Sequence, residues 1–103
     1  MKLITKEIEK NAPRLNASKG GDDAKVIAKF FNPVGRGTWF MTEYDPKTHE
    51  AFGFAEILLG CGELGYFSID EMESVELPLG LGIERDLCFG NPTLKEAKAT
   101  IGY

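Results

Sequence analysis

Residues 38–57, TWFMTEYDPKTHEAFGFAEI, predict a β-hairpin. The first part, residues 38–44, is rich in aromatic and β-branched side chains, which favour strands. Asp-Pro-Lys at the start of residues 45–50 favours a turn. Residues 51–57 then alternate large and small side chains, as expected for a second strand with two unlike faces. Because the connection is too short for a parallel crossover, the two strands are expected to pair antiparallel.

Three further strands and three helices are predicted outside this hairpin. Thr5, Ser68 and Thr93 are expected helix N-caps, and the last two are each followed three residues later by glutamate, as in a capping box. The order of elements predicts an α+β fold: a mostly antiparallel five-stranded meander sheet with short N-terminal, middle and C-terminal helices packed on one face. The predicted strands are residues 25–30, 38–44, 51–57, 64–67 and 83–89, and the predicted helices cover residues 3–15, residues 68–75 and the segment from Thr93 onward.

The composition is that of a globular protein. Of 103 residues, 43% are hydrophobic and 27% are charged, and this length favours a single domain, residues 1–103. No run approaches the ~20 apolar residues that cross a bilayer, and Met1 is not followed by the basic and apolar regions of a secretory signal. The sequence therefore predicts a cytoplasmic protein with no membrane contact and leaves its oligomeric state open.

Charge is divided unevenly along the chain, whose net charge is −4. Residues 1–50 carry 9 basic and 7 acidic side chains, whereas residues 51–103 carry 3 and 9. Such a division either orients a charged partner or serves solubility alone. The overall acidity disfavours tight binding to duplex DNA, which needs clustered cations.

Metal and thiol chemistry have few candidate residues. Cys61, Cys88 and His49 together fall short of the four Cys/His ligands of a structural zinc site, so neither a metal nor a cofactor is predicted. Cys61 lies in a Gly-Cys-Gly turn and is expected to be accessible, whereas Cys88 lies in an apolar run and is expected in the core. His49 falls in a turn, where a solvated side chain is expected.

Five carboxylates form the candidate catalytic set. Glu43 and Asp45 alternate along one strand and therefore share a face. If carboxylates from three strands converge, they provide the oxygen ligands that Mg²⁺ prefers and support phosphodiester hydrolysis. If they stay apart, they form the hydrated side of a half-exposed sheet, which is the favoured interpretation. The set is Glu43, Asp45, Glu63, Glu84 and Asp86.

Basic and aromatic side chains form the candidate binding set. Lys25 and Lys29 share a strand face, with Arg36 in the following turn and Trp39 nearby. Charge and stacking together would suit single-stranded nucleic acid. The alternative is an ordinary solvated strand face.

Arg85 differs from the other cations because it falls on the apolar face of its predicted strand. An arginine in that position needs a carboxylate partner. It is therefore either one half of a structural pair or a ligand-binding residue. The candidate partners are Glu43, Glu63 and Glu71.

Several motifs, in order, resemble a known family. They are LITKEI at 3–8, KFFNP at 29–33, TWFMTEYD at 38–45, FG at 52–53, ELGYFS at 63–68 and IERDL at 83–87. Together they resemble an uncharacterised bacterial family of unknown function that is common on conjugative plasmids and other mobile elements. The resemblance covers nearly the whole chain. It implies a mobile-element context and brings no activity, cofactor or catalytic residue.

The favoured functional hypothesis is a non-catalytic accessory or binding module that acts through a protein partner. It depends on the acidic second half of the chain and on the lack of an assembled catalytic motif. A Mg²⁺-dependent phosphodiesterase-like enzyme and a single-stranded nucleic-acid binder remain the alternatives.

Overall fold

A five-stranded antiparallel sheet organises the computed structural model, which describes residues 2–17, 21–58 and 60–103. The strand order is β4-β3-β2-β1-β5. The first four strands form a meander, and the fifth returns to pair with β1 at the opposite edge. The α+β prediction is confirmed. The strands are β1 (Ala28–Phe31), β2 (Thr38–Asp45), β3 (Glu50–Glu56), β4 (Glu63–Ser68) and β5 (Glu84–Arg85).

The three helices are short, and each begins at its predicted cap. Thr5 accepts a hydrogen bond from the backbone of Ile8, and Ser68 accepts one from Glu71. Thr93 forms a complete capping box with its glutamate. The first helix is much shorter than residues 3–15, because the backbone becomes extended just before the proline that follows it. The helices are α1 (Lys6–Asn11), α2 (Ile69–Glu73) and α3 (Leu94–Ala99).

The helices cover both faces of the sheet, so the expectation of helices on one face is wrong. Met41 on β2 packs in the cluster that includes residues of α2 and, at its margin, α1. The preceding residue, Phe40, points the opposite way and packs against Leu94 and Ala97 of α3. Backbone hydrogen bonds to the segment before β1 hold the start of α3 on that second face.

A bulge in β2 and a glycine in β3 shape the centre of the sheet. The register between β2 and β3 shifts between Met41 and Glu43, and the hydroxyl of the intervening Thr42 donates to the carbonyl of Phe52. At Gly53, an added Cβ would lie 1.8 Å from the carbonyl oxygen of Phe40. No larger residue fits between the two strands at this point.

The fifth strand is much shorter than residues 83–89, and the prediction beyond Arg85 is wrong. The Asp86 carboxylate accepts the backbone N–H of Cys88, which turns the chain away from the sheet. Leu87 is 72% exposed, and Cys88 is also exposed instead of lying in the core. Phe89 returns to the α3 side, where its ring stacks on Phe40. Cys61 is exposed, as expected.

Among the described residues, no helix is long and apolar enough to cross a bilayer.

Candidate functional site

The five candidate catalytic carboxylates do not gather at one place. Glu63 begins β4, whereas Glu84 and Asp86 belong to β5 and the residue after it. These strands form opposite edges of the sheet, with three strands between them. Within residues 2–17, 21–58 and 60–103, no group of three or more His, Cys, Asp or Glu side chains is placed to hold a metal ion.

The two acids on β2 have local structural contacts. Glu43 is 3% exposed and accepts the backbone N–H of Asn16 at 2.8 Å, which holds the segment after α1 against the sheet. Asp45 accepts the backbone N–H of Lys47, and this hydrogen bond lowers the pKa of the Asp45 carboxyl. Asp45 therefore shapes the turn between β2 and β3.

The candidate nucleic-acid residues also do not form one patch. Lys29 lies 3.9 Å from Asp86, and Arg36 lies 3.1 Å from the buried carboxylate of Glu56. Trp39 packs against the α1 and α2 side of the sheet, whereas Lys29 pairs with Phe40 and faces the α3 side. The fourth residue, Lys25, lies before β1 in an isolated bridge with Thr93.

Arg85 holds the N-terminal segment. Its Nη1 donates to the carbonyl oxygens of Lys2 and Leu3, both at 3.0 Å. The backbone N–H of Leu3 donates in turn to the Glu73 carboxylate at 2.7 Å. The arginine at the sheet edge and the glutamate of α2 thus fasten the same short segment from two sides.

A pocket of about 220 Å³ lies between this segment, α1, α2 and the end of β2. It combines two aromatic rings with three acidic, two basic and two aliphatic side chains, a mixture of apolar and polar groups typical of binding sites. Its lining residues are Lys2, Ile4, Lys6, Glu9, Tyr44, His49, Ile69, Asp70 and Glu73.

Strand pairing places His49 and Asp70 together in this pocket. His49 lies just before β3 with a positive φ of 62°, and its carbonyl accepts the N–H of Ile69 at the start of α2. The next residue, Asp70, approaches Nδ1 of His49 at 2.9 Å. An ionised carboxylate only accepts hydrogen bonds, so Nδ1 is the protonated nitrogen. In the neutral ring, Nε2 is then an acceptor.

Tyr44 forms the inner wall of the pocket. It is 4% exposed, and its ring is nearly parallel to that of His49 with centroids 6.4 Å apart. Burial raises the pKa of the Tyr44 hydroxyl, and nearby acids, led by Glu9 and Asp70, raise it further. The described residues form no hydrogen bond with this hydroxyl. Its oxygen is open to solvent in the pocket, because every buried side-chain nitrogen or oxygen of those residues has a partner. A ligand that enters the pocket can therefore reach the hydroxyl and replace its contact with water.

A family model described as "Protein of unknown function (DUF2958)" matches residues 2–96. The chain belongs to this family. The match covers the whole sheet of this DUF2958 protein, together with α1, α2 and the first turn of α3. The resemblance to a family of unknown function is thus confirmed. No curated protein matches the chain, and no solved structure matches it.

In this DUF2958 protein, no sequence motif indicates the grouping of Tyr44, His49 and Asp70. The position of His49 in a turn predicts a solvated side chain, and no sequence pattern pairs it with Asp70, which precedes the glutamate of the Ser68 capping box. The predicted pairing of β3 and β4 is one indication of this contact. An antiparallel hairpin brings the residues before β3 next to those after β4. Finding the contact also required the register that pairs Glu50 with Ser68.

Proposed function

We propose that this DUF2958 protein is a non-catalytic accessory module that binds a basic segment of a partner protein. The supporting observation is the acidic surface, defined here as Asp70, Glu71, Glu73 and Glu76 on and just after α2. All four side chains are exposed, and α2 has no basic residue in its last turn. The surface adjoins the pocket that Tyr44 lines.

Most of the charge on this surface is uncompensated. Glu71, Glu73 and Glu76 form no ion pair with any described residue. Clustered charges of one sign attract and orient a partner of the opposite sign. The side chains of Arg36 and Lys29, by contrast, already have acidic neighbours, which disfavours the phosphate backbone of a nucleic acid as the ligand.

The proposal also includes the biological setting. The resemblance of the motifs at 63–68 and 83–86 to a family common on mobile elements supports an accessory protein of a mobile element, and we place its action in the cytoplasm. The genes that surround related coding sequences test this part. Genes for conjugation or plasmid maintenance are expected there, and a consistent setting among chromosomal housekeeping genes would contradict it.

Binding of a short arginine- and lysine-rich peptide tests the proposed function. Fluorescence anisotropy in low salt is expected to show saturable binding to the full chain. The double substitution Glu71→Gln/Glu76→Gln should weaken it by roughly fivefold, because each exposed charge contributes about 0.5 kcal/mol. Added salt should weaken the binding by screening.

The matched control is Glu7→Gln/Glu63→Gln, which removes the same charge from exposed positions outside the acidic surface. It is expected to retain the affinity of the unchanged protein. Equal weakening by both double substitutions would show attraction by net charge alone and would overturn the proposal. So would the absence of basic-peptide binding.

A further inference from the structure

We infer that the pocket between α1 and α2 binds the guanidinium group of an arginine side chain, with Tyr44 and His49 as its principal contacts. This inference rests on the proposed function and specifies which residue of the basic partner segment is recognised. The pocket would bind one arginine side chain, while the acidic surface attracts the basic segment as a whole.

The first reason is the hydroxyl of Tyr44. It belongs to a side chain that is only 4% exposed, it faces the pocket, and it has no hydrogen-bond partner among the residues that the structure describes. Solvent reaches the hydroxyl oxygen through the pocket, so a ligand that donates a hydrogen bond to it can take the place of water. This observation is independent of the acidic residues nearby.

The second reason is that the pocket offers acceptors. In the neutral form of His49, Nε2 is an acceptor because Nδ1 carries the proton that is donated to Asp70. The carboxylate of Glu9 also lines the pocket and forms no hydrogen bond or ion pair with the described residues. A guanidinium group has five N–H donors and no acceptor, so its hydrogen-bonding capacity matches this lining.

The third reason is charge. The pocket has three acidic and two basic lining residues. Lys2 and Lys6 form no ion pair with those acids in the described part of the chain, so the acids retain their attraction for a further cation. The raised pKa of the Tyr44 hydroxyl is consistent with a negative potential in the pocket, because, after burial, the charges of all three pocket acids raise it.

The fourth reason is size and shape. A volume of about 220 Å³ is smaller than the roughly 300–1,000 Å³ of sites for drug-sized ligands, so it suits a single side chain. Two nearly parallel aromatic rings line it. The planar guanidinium packs on aromatic faces more favourably than the compact, strongly hydrated ammonium group of lysine.

The first experiment compares matched peptides that differ only at the central residue: arginine, lysine or citrulline. Citrulline has nearly the shape of arginine but no charge. Tightest binding is expected for arginine, with lysine weaker and citrulline weakest. The substitution Tyr44→Phe should weaken arginine-peptide binding by about tenfold, because it removes one hydrogen bond to a charged group.

Tyr66→Phe is the control, since the Tyr66 hydroxyl contacts Asn16 away from this pocket. It is expected to leave binding unchanged. If Tyr44→Phe and Tyr66→Phe bind the arginine peptide equally well, the inference is overturned while the proposed function stands. Equal affinity for arginine and citrulline peptides would also overturn it.

A second measurement uses methylguanidinium alone and is independent of any partner segment. Saturable NMR shifts of the His49 and Tyr44 ring signals are expected, and Tyr44→Phe should reduce the shift at His49. Such shifts would support the pocket even if no basic peptide bound to the acidic surface. Their absence at saturating methylguanidinium would overturn the inference.

Discussion

The Asp70 carboxylate lies 2.9 Å from Nδ1 of His49 and thereby joins the first turn of α2 to the turn between β2 and β3. No motif in the sequence around either residue indicates that the two side chains meet. Their contact follows from the pairing of Glu50 with Ser68, which aligns the two chain segments outside the hairpin. The contact determines that Nδ1 is the protonated nitrogen of the His49 ring. It also holds the two side chains that form one wall of the pocket.

Replacing Asp70 with asparagine is expected to have a small effect on stability. The pair is exposed, so the free energy of unfolding should fall by less than about 1 kcal/mol. Urea unfolding measures this change, with Glu71→Gln as the control on the same helix. Faster hydrogen exchange at the N–H of Ile69, which donates to the His49 carbonyl, should accompany it. A loss of several kcal/mol would contradict the assignment of a surface pair.

Alkaline pH should destabilise the protein partly through Tyr44. Its pKa lies above the ordinary value of 10.0 because of burial and nearby acids. The unfolded chain therefore loses this proton first, so the stabilisation is complete below the unfolded pKa and is lost as pH rises through the folded pKa. Urea unfolding from neutral to strongly alkaline pH should show a shallower decline for Tyr44→Phe than for the unchanged protein. Parallel declines would contradict this prediction.

Gly53 and Gly65 form a matched pair across β3 and β4. Alanine at Gly53 would place its Cβ 1.8 Å from the Phe40 carbonyl oxygen, whereas alanine at Gly65 would meet no atom within 4 Å. We expect Gly53→Ala to lower the free energy of unfolding by more than about 4 kcal/mol. Gly65→Ala should leave it unchanged or raise it by up to about 1 kcal/mol. Thermal or urea unfolding of the Gly53→Ala and Gly65→Ala variants measures this difference. Similar free energies of unfolding for the two variants would refute the close approach of β2 and β3.

Arg85 should stabilise the N-terminal segment. Replacing it with glutamine removes charge-assisted hydrogen bonds to Lys2 and Leu3, at an expected cost of about 1.5–3 kcal/mol. Limited trypsin digestion should then cleave after Lys2 or Lys6 sooner. The control is Lys10→Gln, an exposed change in α1 that should affect neither measurement. Unchanged digestion of the Arg85 variant would show that the segment is held by other contacts.

The candidate sites illustrate how far the sequence supports prediction. The alternation that put Glu43 and Asp45 on one face depends on neighbouring residues alone, and their pairing with Phe52 and Glu50 agrees with it. Whether Glu63 and Glu84 meet depends on strand order, which the pattern of hydrophobic residues does not encode. The return of β5 beside β1 separates these two acids by the width of the sheet.

The helix caps, the central hairpin and the α+β class follow from the sequence alone, because each depends on patterns among residues a few positions apart. The capping box of Thr93 and Glu96 is the clearest case. The face that each helix covers, the end of β5 and the formation of the pocket depend on contacts between distant parts of the chain. Tyr44 and Asp70 approach one another only after three strands have paired in one register, and that register is chosen by packing over the whole sheet.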